Sequence, residues 1–234
     1  MHAPRLKISI VIPVLNEENH LSIILGSLQK YRDSGHQVIV ADGGSSDNSV
    51  KLASVGADDV VVSLAGRAMQ MNSSAAIATG DVLLFLHCDT VLPHDAIELI
   101  TKQCLSSKST NIDFWGRFDV RLSSRRKIYR VIEKLMNLRS RYTAVATGDQ
   151  AIFIERDLFK RIGGFPEIAL MEDVAISKIL KQLAEPFCIN KKVITSSRRW
   201  ETHGVIKTVL LMWKLRLLYL FGVSPDKLAR LYRR

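Results

Sequence analysis

Three acidic stations stand out by residue type and setting: Asp42, Asp89 and the pair Glu172-Asp173. A carboxylate can accept hydrogen bonds from a base or sugar edge, hold a divalent cation, or take a proton from a hydroxyl. Asp42 opens Asp42-Gly43-Gly44-Ser45-Ser46-Asp47, whose glycines allow a tight turn and close approach of a ligand. Asp89 closes His87-Cys88-Asp89, where a carboxylate can hold Mg²⁺ or Mn²⁺ between two phosphates. Arg67, in Gly66-Arg67-Ala68, offers a positive charge to the same phosphates. Glu172-Asp173 opens a helix, and an acid there can act as a general base. Each residue also has a plain reading: Asp42 as a turn residue, Arg67 as a surface charge, Glu172-Asp173 as acids favoured by the helix dipole.

The elements that must position these residues follow from periodicity. Short β-rich runs at 8–12, 37–41, 60–63 and 82–86 alternate with helical patterns at 17–31, 47–56, 65–79 and 93–105. That alternation predicts an α/β fold, Rossmann-like, with a mostly parallel sheet and helices on both faces. Ligands bind such sheets beyond the carboxyl ends of the strands. The first strand runs through Pro13 into Asn16-Glu17, the second into Asp42, and the fourth into His87-Cys88-Asp89. Three polar strand ends on one sheet edge point to a site more strongly than any one alone.

Later segments predict strands at 113–122, 150–154 and 187–195, and helices at 123–142, 155–162, 173–183, 203–221 and 225–232. In the 123–142 helix, Ile128, Val131, Ile132, Leu135, Met136 and Leu138 form an apolar stripe with a cationic rim. Such a stripe suits either the core or an anionic lipid interface. One catalytic domain over 1–203, with halves 1–110 and 111–203, is therefore expected, followed by a helical extension over 204–234.

The formal net charge of +10 is concentrated. Residues 117–141 carry a net of +7 and residues 191–234 a net of +9, so the rest of the chain is acidic. An anionic partner is implied: a phosphorylated substrate or a membrane surface. Nucleic acid is disfavoured, because aromatic residues do not interleave with the basic runs. Cys88, Cys104 and Cys188 show neither zinc spacing nor a disulfide framework, which fits a cytoplasmic protein. The apolar start ends at Pro13 and acids, so a buried strand is expected rather than a leader. Lys207, Lys214 and Arg216 interrupt the apolar 204–223 stretch, so peripheral contact with the inner face of the plasma membrane is expected rather than a span. A homodimer is a further expectation for this apolar surface.

No G-x-G-x-x-G and no G-x-x-x-x-G-K-[ST] appears, which disfavours dinucleotide oxidoreductases and P-loop enzymes. Instead, Ile-Pro-Val-Leu-Asn-Glu-Glu from Ile12, Ala-Asp-Gly-Gly-Ser-Ser-Asp from Ala41, Gly-Arg-Ala-Met-Gln-Met-Asn from Gly66 to Asn72, and Gly-Asp-Val-Leu-Leu-Phe-Leu-His-Cys-Asp-Thr from Gly80 follow in order. Thr147-Gly148-Asp149-Gln150-Ala151, Gly163-Gly164-Phe165-Pro166, Met171-Glu172-Asp173-Val174 and Arg198-Arg199-Trp200 come after them. This set resembles a family 2 glycosyltransferase of the GT-A fold, in detail the small bacterial subgroup found beside radical-SAM and selenodomain proteins.

The resemblance implies inverting transfer from a nucleotide-sugar donor, a UDP-sugar by family habit, to a hydroxyl or carboxyl of a small or lipid-like acceptor. It implies that Pro13, Asn16, Glu17, Asp42, Gly43, Arg67, Asn72 and His87 line the donor site. It implies Asp173, with Glu172, as catalytic base; Gly148, Asp149, Arg199 and Trp200 on the acceptor side; and Asp89 with His203 at a divalent cation. His87 stands where the family's D-x-D motif has its first acid, and Ser196 stands where processive relatives have Gln, which argues against a polymer synthase. Two other readings stay open. A nucleotidyltransferase would be expected to carry a glycine- and basic-rich loop after the first strand, where Pro13-Val14-Leu15-Asn16 stands. The other is a non-catalytic membrane- or partner-binding protein with the same fold.

Overall fold

The structure, a computed structural model, describes residues 6–110 and 112–233. The first half alternates as expected: β1 (Ile8–Val14), α1 (Glu18–Asp33), β2 (Gln37–Asp42), α2 (Ser49–Gly56), β3 (Asp59–Val62), α3 (Arg67–Ile77), β4 (Val82–Phe85), β5 (Thr90–Val91) and α4 (Ala96–Thr110). The second half contains β6 (Trp115–Leu122), α5 (Lys127–Thr143), a 3-10 turn (Gly148–Gln150), β7 (Phe153–Glu155), α6 (Arg156–Arg161), α7 (Glu172–Leu180), β8 (Phe187–Thr195), α8 (Arg198–His203), α9 (Val205–Leu220) and α10 (Pro225–Arg233). The N-terminal reading of a strand rather than a leader falls partly on residues 1–5, outside the described residues.

All strands join one sheet in the order β3-β2-β1-β4-β7-β6-β8-β5. The four strands from β3 to β4 run parallel, β7 reverses against β4, and β6 and β8 are parallel to each other. Alternation along β1 sends Ile8, Ile10 and Ile12 to one core with Leu21 and Leu28 of α1. Val11 goes to the opposite core with Ile39, Leu83, Phe85 and Trp115. Full burial of each such aliphatic chain contributes about 1.5–3 kcal/mol.

The topology brings the chemistry to one edge. β7 is antiparallel to β4, so the Gly148–Gln150 turn that precedes β7 lies at the carboxyl end of β4. β6 is antiparallel to β7, and β8 follows β6 in parallel, so the end of β8 also points to that edge. The same edge therefore receives the ends of β1, β2 and β4, the start of the 3-10 turn, and α8.

The helix expected over 203–221 is α9, which starts after Gly204, whose left-handed φ of +81° separates it from the short, unforeseen α8. Of the two readings of the α5 stripe, the core-facing one does not hold. Ile128, Val131, Leu135 and Leu138 are exposed, Ile132 is buried and Met136 half-buried, while Tyr129, Glu133, Asn137 and Ser140 are buried. The reason lies in β6, which pairs with β7 only at Trp115 and Gly116. Beyond that point its backbone needs other partners. Asn137 Oδ1 accepts from the Val120 amide at 2.9 Å, and its Nδ2 donates to the Val120 carbonyl at 3.0 Å. Glu133 accepts from the Leu122 amide at 2.8 Å. The polar side of α5 thus stands in for a missing strand, because a buried, unpaired peptide group is costly.

Candidate active site

The nucleotide-side platform is stitched from two loops. Val14 and Asp42 are register partners at the ends of β1 and β2. Asn16 adopts a left-handed φ of 54°, its amide donates to Ser45 Oγ at 2.9 Å, and its Oδ1 accepts from the Ser46 amide at 2.8 Å. The Glu17 amide donates to Ser49 Oγ at 3.0 Å. Asp42 is buried, and its Oδ2 accepts from the amides of Gly44 and Ser45, both at 2.8 Å. Its Oδ1 has no hydrogen-bond partner among the described residues. A buried carboxylate oxygen without a donor is costly, and a ligand N–H is the kind of group that would satisfy it. Beneath the loop, Gln70 Nε2 donates to the carbonyls of Val14 and Ala41, each at 2.7 Å. Gly43 lies so close to that amide that a Cβ would come within 3.1 Å of it.

The opposite side is built from the ends of β4, β7 and α7. His87 Nδ1 lies 3.4 Å from Asp149 Oδ1. A Cβ on Gly148 would collide with the His87 imidazole, so glycine is required there by space. Asp173, in the first turn of α7, accepts from the Gly148 amide at Oδ2 (3.0 Å) and from the Val174 amide at Oδ1 (2.7 Å). Met171 precedes this turn at φ 73°, a strained conformation for a side-chain-bearing residue. It is held by packing with Leu215 and Leu228 of the C-terminal helices. A small cavity on this side is lined by Met71, Phe85, His87, Gly148, Phe165, Glu172 and Asp173, among others.

The charges here are coupled. The Asp149 side chain is 46% exposed. Burial raises its pKa, but the His87 bond and the charges of Arg67 and Arg216 outweigh that, so the carboxyl titrates below its ordinary value. Glu172 behaves oppositely: burial, then the Asp173 charge, hold it above its ordinary value, and Arg67 offsets part of this. Desolvation would lower Arg67, yet Glu172, Tyr232, Asp149 and Asp173 raise it overall. Arg67 is exposed to solvent. Arg139 is pushed down to about 10 by burial and by Arg216. Arg216 is itself lowered by burial, though Asp173 and Asp149 partly compensate. Burial pushes the Cys88 thiol up to about 12, so no thiolate forms beside Asp89 at neutral pH.

With this geometry in view, the profile of glycosyl transferase family 2 matches residues 9–163, more than half of the chain. The chain belongs to glycosyl transferase family 2. It is 28% identical over 179 residues to a PGL/p-HBAD biosynthesis glycosyltransferase of Mycobacterium bovis (strain BCG / Pasteur 1173P2), an alignment covering 67% of this chain and 62% of the relative. It is 30% identical over 108 residues to an undecaprenyl-phosphate 4-deoxy-4-formamido-L-arabinose transferase of Yersinia pestis (strain Pestoides F), covering 42% and 33%. The chain thus spans less than two thirds of the length of these relatives. Among solved structures, glucosyl-3-phosphoglycerate synthase from Mycobacterium tuberculosis, with Mn²⁺, UDP and glucosyl-3-phosphoglycerate, superposes with a TM-score of 0.56 at 21% identity, covering 80% and 70%. A mannosyltransferase from Pyrobaculum calidifontis with GDP-Man and Mn²⁺ gives 0.62 at 16%, covering 97% and 69%. At these identities the likeness shows the fold, which is GT-A.

Within this family 2 fold, the expected residues separate into those that meet and those used elsewhere. His87, Gly148, Asp149, Glu172 and Asp173 come together, and the charge of Arg67 acts on the same acids. Asn16, Glu17, Asp42 and Gly43 form the platform, with Pro13 opposite Ala41 in the β1–β2 register. The Asn72 amide exchanges two 2.9 Å bonds with the Phe165 backbone, tying α3 to the Gly163–Pro166 turn. The Arg199 guanidinium stacks 3.7 Å from the Tyr232 ring centroid and donates to the Tyr232 carbonyl. Trp200 packs against Leu122, Tyr129 and Ile132. Arg198, not its neighbour, reaches the platform, 3.5 Å from Glu17. Gln70, Arg139 and Arg216 were not foreseen, because their partners are far away in sequence and nothing local marks them.

Among the described residues, no group of three or more His, Cys, Asp or Glu is arranged around a common point. His203 is exposed, with Nδ1 3.2 Å from the Arg199 carbonyl, and joins no such group. Asp89 is half-buried at the end of β4, and Oδ1 receives one long 3.4 Å bond from Thr90. One carboxylate completed by donor phosphates and waters is an ordinary Mg²⁺-type site, so the donor set fits a cation carried with the nucleotide.

Proposed function

We propose that this chain transfers a sugar from a nucleotide donor, by family habit a UDP-sugar, to a hydroxyl of a lipid-like acceptor with inversion at the anomeric carbon. The observation that carries this reading is the Asp173 carboxylate bonded to the Gly148 amide, one residue from the Asp149–His87 contact at the end of β4. A proton acceptor and the donor-side strand end are thereby fixed together. The Asp42 platform would take the base, and Arg67 the diphosphate.

In the proposed single displacement, Asp173 takes the acceptor proton as the acceptor oxygen forms a bond to the anomeric carbon. The bond from that carbon to the diphosphate breaks, and its electron pair leaves with the nucleoside diphosphate. A divalent cation held by Asp89 and the two phosphates would supply neutralisation of the leaving charge. Burial and the Asp173 charge both oppose ionisation of Glu172, with Arg67 offsetting part of this, so the two neighbouring acids differ in how readily they ionise. The Yersinia relative is named for a lipid phosphate, which supports an acceptor of that character. Membership of the radical-SAM-associated subgroup is part of the same proposal.

Proton NMR of the first product formed tests the stereochemistry. An α-linked donor giving a β-linked product is expected; retention would overturn the single displacement.

A further inference from the structure

Two neighbouring helices turn apolar faces to solvent. On α5, Ile128, Val131, Leu135, Leu138 and Tyr142 recur every three or four residues and are all exposed, Val131 at 55% and Leu135 at 56%. On α9, Ile206, Leu210, Trp213, Leu217 and Leu220 repeat the same spacing, with Trp213 68% exposed. The inner side of α9, through Leu211, Leu215 and Leu218, packs with Met171 and Val174. The helices meet where Ile132 and Met136 pack with Val205. Single exposed apolar residues are common, but two helices that meet at one end and each expose an apolar stripe mark an interaction surface.

The charge beside the stripes indicates the occupant. Lys127 and Lys134 flank the α5 stripe, and Lys207 and Lys214 flank that of α9; all four are exposed. The single acid of α5, Glu133, is buried against β6, and α9 contains none. An isologous second copy would set these cations against their own kind. An anionic bilayer surface offers both a place for the apolar stripe and opposite charge for its rim.

From this we infer that α5 and α9 form a docking face for anionic lipid membranes. Binding is peripheral, since among the described residues no helix is long and apolar enough to cross a membrane. The consequence for catalysis rests on the transferase reading. The inner side of α9 packs against Met171 and Val174, which flank Glu172 and Asp173. A docked α9 would therefore hold the candidate base one helix diameter, roughly 10 Å, from the bilayer surface where a lipid-borne acceptor presents its head.

Co-sedimentation with phosphatidylglycerol/phosphatidylcholine vesicles and with pure phosphatidylcholine vesicles tests the face, at low and high salt. The full chain is compared with Trp213→Ser/Leu217→Ser and with Lys134→Glu/Lys207→Glu/Lys214→Glu, each checked for fold by circular dichroism. Expected is binding to anionic vesicles at low salt, weakened at least about tenfold by either variant and by high salt. Donor hydrolysis in solution should be unchanged in both variants, which separates loss of docking from loss of transferase chemistry. Absence of binding to anionic vesicles, or equal binding to neutral ones, overturns the proposal. A dimer in solution abolished by the apolar variant, without vesicle binding, would assign the face to a second copy and overturn it equally.

Discussion

The Gly148 amide donates a 3.0 Å hydrogen bond to Asp173 Oδ2, joining residues 25 positions apart in sequence. The same glycine presses on His87, and its neighbour Asp149 meets that imidazole. The proposed base is therefore aligned by the turn that also contacts the donor-side strand end. A disturbance on either side of this turn should reach the other.

Replacing Asp173 by Asn keeps the size of the side chain and removes its capacity to take a proton. Turnover should fall by about 10²–10⁴-fold, the usual contribution of a general base. Nucleotide affinity should persist. Calorimetric titration with the nucleoside diphosphate, beside steady-state rates, separates the two effects; equal losses in both would place Asp173 in donor binding.

Gly148→Ala forces a methyl into the space of the His87 ring. Overpacking of this kind costs about 1–3 kcal/mol. Denaturant unfolding should show that loss, and a Gly148→Ala/His87→Ala double variant should recover part of it. Additive losses in the double variant would mean that the two residues are not in contact.

Glu172 gives a pH signature. Its folded-state pKa is raised above the ordinary 4.5, first by burial and then by Asp173. The folded state therefore holds its proton to higher pH than the unfolded chain does. The stability this group contributes is full below pH 4.5 and is lost as pH rises toward and through the folded value. Glu172→Gln should thus raise Tm at neutral pH relative to the parent, with the gap closing below about pH 4.5. Thermal melts across pH 4–8 check this, and a gap that widens toward acid would reverse the sign.

Asn137→Ala should cost about 2–4 kcal/mol, because it strands both the amide and the carbonyl of Val120. Denaturant unfolding measures this. A loss below about 0.5 kcal/mol, the range of an inert surface change, would mean that the side-chain substitute for a β ladder is dispensable.

The strands and their polar ends were legible because period-2 apolar runs and Pro or Gly stops are local signals. Asp42 and Asp89 could therefore be read as strand-end residues directly. The outward turn of the α5 stripe was not legible. It depends on β6 losing its β7 partner after Gly116, a tertiary fact. For the same reason the bond from Arg199 to Tyr232, 33 residues away on α10, was not legible. Periodicity shows that a helix has two faces, but only the packing decides which face the protein covers.

The central claim, sugar transfer from a nucleotide donor, is tested most directly by identifying the phosphorus-containing product. The protein would be incubated with a panel of UDP- and GDP-sugars and Mn²⁺, and the leaving group identified by phosphorus NMR, beside Asp89→Ala as control. Release of nucleoside diphosphate from one donor, abolished in the variant, is the predicted result. Release of inorganic diphosphate from a sugar phosphate and nucleoside triphosphate, with no nucleoside diphosphate from any donor, would contradict it and identify nucleotidyl transfer instead.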